Sequence, residues 1–251
     1  MKSDVTYLFS LSLTADRVRD IWCPSCERET LRFDPRTVQR HETLATRRME
    51  DSELGHVDSE DWNCAFVLRC LNVGCNETVF GVGVVSGAEA VRDDGEPVYF
   101  ERIQPSFFQP PLKFVTVPDE APRSVSASIT QASNLYYSDR SAAANCLRRA
   151  LEHLVQAQLD RSTHKKEQTL HGRLVRLTEN NPVLTDRLTA AKLVGNSGSH
   201  AGSRPTRTDV ESAFRLLQSA VEHFYGVPAV DLDGRAAQIL QRERARRDRQ
   251  R

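Results

Sequence analysis

No stretch of the 251-residue sequence approaches the eighteen or so consecutive apolar residues of a membrane-spanning helix, and no membrane role is expected. Net charge is lacking as well: 34 basic side chains balance 34 acidic ones, which excludes a uniformly basic nucleic-acid-binding surface and leaves only local patches. Lysine is scarce, standing only at positions 2, 113, 165, 166 and 192, so arginine carries most of the positive charge. Residues 1–5 show neither a basic stretch leading into a long apolar run nor a small-residue cleavage site, so a cytoplasmic location is the expectation. With 39% hydrophobic and 27% charged residues, disorder is not expected, and the length suits one large domain or two modest ones.

Six cysteines are present, and a reducing compartment favours thiols or metal ligands over disulfides. Four have ligand-like spacing, Cys23-Pro-Ser-Cys26 and Cys70-Leu-Asn-Val-Gly-Cys75. A two-residue gap on a tight turn lets two thiolates converge on one tetrahedral ion, and Gly74 is expected to give the second pair a comparable turn. Four thiolates fill a closed tetrahedral site, which points to structural zinc rather than a catalytic metal or a redox pair. Cys64 lies close enough to Cys70 in sequence to be an alternative ligand, and Cys146 falls within a helical pattern as a core residue.

The pattern predicts an α+β protein in which a small antiparallel β zinc-binding module precedes an all-α helical bundle. Strands are expected at residues 64–71, 77–85, 98–103 and 112–117, separated by glycine, asparagine and proline signals. Residues 34–61 form a polar interval without a convincing strand, which accounts for the 43 residues between the cysteine pairs. The β module is assigned to residues 1–120, with a linker at 118–122. Residues 121–228 carry the bundle, and 229–251 form an Arg-rich tail.

Helical spacing recurs at Val125, Ile129, Ala132 and Tyr136, at Ala143, Leu147, Leu151 and Leu154, and at Leu170, Leu174 and Leu177. A fourth helix, carrying Leu184, Leu188 and Ala191, is expected to stop at Gly195. The last, through Val210, Phe214, Leu217 and Val221, is expected to open on a Thr208–Glu211 capping box. Arg149 and Glu152 stand three residues apart on one helix and are expected to pair.

Other features offer less chemistry. His153, His164, His171 and His223 lack a second ligand at tight spacing, and Gly81-Val-Gly83 is not followed by the rest of a phosphate-binding loop. Trp22, Trp62, Tyr99, Phe107 and Phe108 suit a mini-core around the zinc module, with base stacking as the other use. Six acids at residues 50–61 and seven arginines at 235–251 are expected to be solvated; the tail could also touch phosphate or the acidic run of a second chain.

Lys192-Leu-Val-Gly-Asn-Ser-Gly-Ser-His200, Asn134-Leu-Tyr-Tyr137, Cys146-Leu-Arg-Arg-Ala-Leu-Glu152 and the closing His223-Phe-Tyr225 occur in that order. The set resembles domain of unknown function 4145, a family similar to the HEPN (higher eukaryote and prokaryote nucleotide-binding) helical superfamily. It covers about residues 100–226, and the upstream cysteines resemble the zinc module that often precedes this domain.

The resemblance implies a helical, often dimeric domain of prokaryotic defence, restriction or toxin systems, with RNA, another nucleic acid or a protein of the system as partner. Active members cut RNA without metal, using Arg, four to six residues and His. His200 matches the histidine as acid/base, and Asn196 matches the following polar position. Gly195, however, stands where the arginine would be, with Lys192 the nearest preceding cation. Arg149 and Glu152 also match as supporting residues. Lysine cannot make the forked phosphate contacts of arginine. The expectation is therefore a non-catalytic or weakly catalytic binding protein. A metal-independent endoribonuclease and an antitoxin-like structural adaptor are the alternatives.

Overall fold

A computed structural model describes residues 6–15, 20–44, 61–91, 95–159, 169–198 and 204–226. A short 3-10 turn at Thr6–Ser10 precedes five strands, β1 (Ile21–Trp22), β2 (Glu29–Glu42), β3 (Trp62–Cys70), β4 (Thr78–Val91) and β5 (Pro97–Gln109). They pair in chain order as one antiparallel sheet. Among the described residues five helices follow, α1 (Arg123–Leu135), α2 (Arg140–Gln158), α3 (Leu170–Leu177), α4 (Pro182–Ser197) and α5 (Arg207–Tyr225). The chain is thus α+β, an antiparallel sheet followed by helices. Among the described residues no helix is long and apolar enough to cross a membrane.

Strand alternation places Cys64, Phe66, Leu68 and Cys70 of β3 inside, while Ala65, Val67 and Arg69 face outward. The polar interval begins later than the sequence suggests, because β2 continues through residues 34–42. Its register slips between Asp34 and Gln39, where Pro35 would have interrupted a regular ladder. Thr37 repairs that gap: its hydroxyl donates to the Asp34 carbonyl (2.6 Å) and accepts from the Val67 N–H (2.9 Å). Residues 45–60, with most of the acidic run, lie outside the described residues.

Residues 112–117 are not a strand. Leu112, Phe114 and Val115 are all buried along an irregular segment behind Pro110 and Pro111, and the Thr116 N–H bonds to the Gln218 side chain of α5 (2.9 Å) rather than to a ladder. Gly81 and Gly83 are packing glycines: an added Cβ would lie 2.2 Å from the Phe66 ring at the first and 2.4 Å from the Gln104 carbonyl at the second.

In the helical half α2 is central, packing against α1, α3, α4 and α5 and burying Ala143, Leu147, Ala150, Leu151 and Leu154. The last helix begins earlier than expected. The capping box joins Thr206 and Asp209, not Thr208 and Glu211: Thr206 Oγ1 accepts from the Asp209 N–H (3.2 Å), and the Asp209 carboxylate accepts from the Thr206 N–H (2.8 Å). The Thr206 hydroxyl also donates to that carboxylate (2.7 Å), and it and the N–H together hold the Asp209 carboxyl below its usual range. The fourth helix also runs past Gly195 and ends at Ser197, with Gly198 as its cap.

A chain of aromatic rings joins sheet and bundle. Phe33 meets Phe66 (5.8 Å between centroids), Phe66 meets Phe108 (5.9 Å), Phe108 meets Tyr137 (5.2 Å) and Tyr137 meets Phe114 (5.8 Å). Phe114 then stacks on Phe9 (4.6 Å) and leans on Phe214 of α5 (5.0 Å). The Tyr136 and Tyr137 hydroxyls donate to the Phe9 and Leu8 carbonyls (3.0 and 2.6 Å), so the N-terminal turn is bonded directly to the end of α1. The buried residues form one core that includes both the metal-side strands and the helices.

Candidate metal centre

The first cysteine pair sits on the turn between β1 and β2, the second on the turn between β3 and β4. Antiparallel pairing of β2 with β3 brings the two turns together at one end of the sheet, with Leu31 opposite Cys70. Both turns are built alike. Each first cysteine donates its N–H across the turn, Cys23 to the Arg28 carbonyl and Cys70 to the Glu77 carbonyl (both 2.8 Å). Each second cysteine is followed by a non-glycine residue with positive φ, Glu27 at 54° and Asn76 at 50°. The turning residue of the second loop is therefore Asn76 rather than Gly74. Asn72 supports it, accepting at its carbonyl from Cys75 (2.8 Å) and Asn76 (2.9 Å).

The sulfur atoms of Cys23, Cys26, Cys70 and Cys75 all lie within 4.8 Å of one another. Cys23 and Cys75 are 3.8 Å apart and Cys26 and Cys70 3.7 Å apart. A tetrahedral ion with metal–sulfur bonds of about 2.3 Å has sulfur–sulfur edges of roughly 3.75 Å. The cluster therefore fits a four-thiolate metal site, and its separations are far beyond the roughly 2.05 Å of a disulfide. Cys64 and Cys146 are buried elsewhere and take no part.

The thiols are not equivalent. Burial pushes Cys23 up to about 12. Burial also opposes ionisation of Cys26, but hydrogen bonds from Thr30, Asn72 and the neighbouring thiols outweigh it and bring Cys26 down to about 6. Thr30 is a supporting residue with no spacing signal in the sequence: its Oγ1 lies 3.1 Å from Cys70 Sγ and 3.6 Å from Cys26 Sγ. One hydroxyl proton can thus serve thiolates from both loops. Beside the first turn lies a cleft of about 300 Å³, floored by Leu112, Val115 and Ile129 and rimmed by Ser25 and the Glu27–Lys113 ion pair (2.7 Å).

The second group of candidates is divided. Lys192 and Asn196 are half-buried on α4, while His200 lies outside the described residues. Gly195 is buried against α2: an added Cβ would lie 2.4 Å from the Arg148 Cβ and 3.2 Å from the Ala144 carbonyl oxygen. At Gly198 it would meet the Ser141 carbonyl at 2.5 Å. These glycines permit close helix approach, which is why α4 does not stop at the first. Glu152 pairs with Arg148 (3.2 Å), not with Arg149 as the spacing had suggested; Arg149 instead donates to the Gln131 side chain on α1. The four-residue interval, nearer one helical turn, wins over the three-residue one.

Residues 130–243 match the family model of a domain of unknown function (DUF4145), which supports that family for the helical half. Residues 11–111 match a second domain of unknown function (DUF8608), which spans all four clustered cysteines. No curated protein and no solved structure matches the chain.

Proposed function

We propose that this chain is a zinc-stapled, HEPN-like binding protein of a prokaryotic defence, restriction or toxin system, holding nucleic acid or a protein partner without efficient RNA cleavage. The observation that carries this reading is the packing of Gly195. RNA cleavage through a 2′-hydroxyl needs a proton acceptor and donor plus a cation for the phosphorane charge. At the position where the resemblance requires that cation, the side chain of α2 occupies the space, with Arg148 Cβ only 2.4 Å from an added Cβ. Lys192 lies one turn earlier on α4 and lacks the forked donor set of arginine.

Zinc is the ion that best suits four thiolates in a closed tetrahedron, and in such a site it supplies folding free energy rather than an open coordination position. Cys23, Cys26, Cys70 and Cys75 would hold it, with Thr30 donating to the sulfur shell.

The test pairs cleavage with binding. Purified chain and its His200→Ala variant are incubated with mixed RNA in magnesium-free buffer, and product ends are analysed while binding is followed across a salt series. The expected result is salt-dependent binding with no cleavage by either protein. Cleavage to 2′,3′-cyclic phosphate ends, lost in a folded His200→Ala variant, would establish the endoribonuclease instead. Neither binding nor cleavage would leave the structural adaptor.

A further inference from the structure

The outer face of the sheet exposes an aromatic pair that the core does not use. Phe80 of β4 is 60% exposed and Phe107 of β5 is 37% exposed, with Val82 between them at 44%. Phe107 stands opposite Val82, and Phe80 stands opposite Val67. The two rings are therefore diagonal neighbours on adjacent strands, a relation that spaces residues about 7–8 Å apart. At that spacing each ring can take one base of an extended strand.

A bulge arranges this. Val82 pairs with Phe107 but Gly83 pairs with Pro105, leaving Ser106 as the extra residue, its hydroxyl donating to the Val82 carbonyl (3.3 Å). The extra residue shifts the alternation by one, so Phe108 points into the core at 2% exposure while Phe107 points out. An unbulged strand continuing from the buried Ile103 and Pro105 would have turned Phe107 inward and Phe108 outward.

The surroundings favour one kind of occupant. Gln109 stands opposite Phe80, and Gln104, Val84, Asn63 and His41 form the row beyond Phe107. The Gln109, Gln104, Asn63 and His41 side chains can both donate and accept toward base edges and sugar hydroxyls. Arg69 lies at one end of the face and Arg102 at the other, beyond Gln104. Strand alternation along the projecting β4–β5 hairpin puts Ser86, Ala88 and Ala90 on this side and Glu89 with Glu101 on the opposite side. Among the described residues, acids beside this face include Asp34, which Arg36 contacts at 3.1 Å and which also interacts with Arg69, and Asp20, which Arg32 contacts at 2.6 Å. Exposed rings and amides, with Arg69 and Arg102 at the two ends, suit stacked bases on a phosphate backbone.

We propose that the outer face of β3, β4 and β5 binds single-stranded RNA, with Phe80 and Phe107 as stacking platforms and Arg69 and Arg102 on the backbone. This rests on the nucleic-acid-binding reading above and gives it a site outside the helical half.

The experiment uses the full chain and a fluorescein-labelled, mixed-sequence single-stranded RNA of about twelve nucleotides, read by anisotropy at several salt concentrations, with a duplex of the same sequence and the matching DNA strand as competitors. Phe80→Ser and Phe107→Ser are each expected to weaken binding roughly tenfold with little change in the circular dichroism spectrum, since both side chains are exposed. Arg69→Gln with Arg102→Gln is expected to lower the salt slope by about 1.4. Ultraviolet cross-linking of the wild-type chain should mark peptides holding residues 80 and 107.

Unchanged affinity in the double phenylalanine variant would overturn the site while leaving nucleic-acid binding intact. Equal competition by duplex would overturn stacking, and equal competition by DNA would overturn the RNA assignment. Absence of any binding by the wild-type chain would remove the parent reading as well. Reduced self-association of the phenylalanine variants in sedimentation, with RNA binding unaffected, would assign the face to a second copy instead.

Discussion

Substitutions at single side chains separate chemistry from packing. Gly195→Ala should destabilise the chain by about 1–3 kcal/mol in urea unfolding although alanine is the better helix former by about 1 kcal/mol, because the added methyl enters α2. Stability equal to or above wild type would contradict this packing. Thr30→Val should speed loss of metal to a chelator several-fold, and Thr30→Ser should restore retention, because the hydroxyl proton rather than side-chain volume faces Cys70 and Cys26. Valine matching wild type would remove Thr30 from the centre.

The cysteines were readable because ligand spacing is a local property. Thr30 was not, since it joins the centre only through the β2–β3 pairing, and the packing role of Gly195 was not, since its partner lies on α2.

The ionisation of the cysteines sets a pH dependence. With Cys26 near 6 it is already a thiolate at neutral pH, whereas Cys23, near 12, gives up a proton when metal binds. Protons therefore compete with the metal, and affinity should fall as pH drops from 8 to 5 and be lost through the range in which Cys26 itself takes up a proton. For Cys26 the sign is that of a depressed acid: its contribution is present above the unfolded thiol value of about 8.5 and disappears as pH falls through about 6. Titration with a metal-sensitive dye at fixed pH steps checks this, and a flat affinity between pH 8 and 5 would contradict thiolate ligation.

At the scale of elements, the β5 bulge and the slip in β2 determine which side chains reach which face. Deleting Ser106 removes the extra residue, so that Pro105 and Phe107 become consecutive partners of Gly83 and Val82; regular alternation should then keep Phe107 outward and Phe108 in its contacts with Phe66 and Tyr137. A loss in urea unfolding well below that of removing a buried phenylalanine is expected; a loss of about 3–5 kcal/mol would show that Phe108 had left the core and contradict this reading of the bulge.

Helix existence followed from the 3.6-residue period, and all five helical stretches lie close to where that period placed them; alternation found β3, β4 and β5 but missed β1 and β2. Boundaries did not follow. β2 runs through a proline because Thr37 substitutes for a ladder bond, and residues 112–117 carry apolar alternation yet are held by Gln218 of α5. Both outcomes depend on partners distant in sequence. The start of α5 at Thr206 instead of Thr208 shows a local ambiguity, since each threonine has an acidic residue three positions later.

For the whole molecule, the metal-bearing turns and the helical bundle lie at the ends of one aromatic core running from Phe33 through Phe66, Phe108 and Tyr137 to Phe214. Sequence composition suggested a change near residue 120, and the sheet does give way to helices there, but the ring contacts cross that position without a break. The local consequence of losing the metal should therefore spread: with the four thiols unheld, the β1–β2 and β3–β4 turns part and the inner face of the sheet loses its closure. The bundle is expected to lose near-ultraviolet dichroism together with the sheet, in one transition.

The most direct test is metal content and coordination of the freshly purified chain, by native mass spectrometry together with X-ray absorption at the metal edge. One zinc per chain with four sulfur neighbours at about 2.3 Å, absent from the Cys26→Ser/Cys75→Ser variant, is the predicted result. A metal-free chain that keeps its near-ultraviolet spectrum, or a metal with mainly nitrogen and oxygen neighbours, would contradict it.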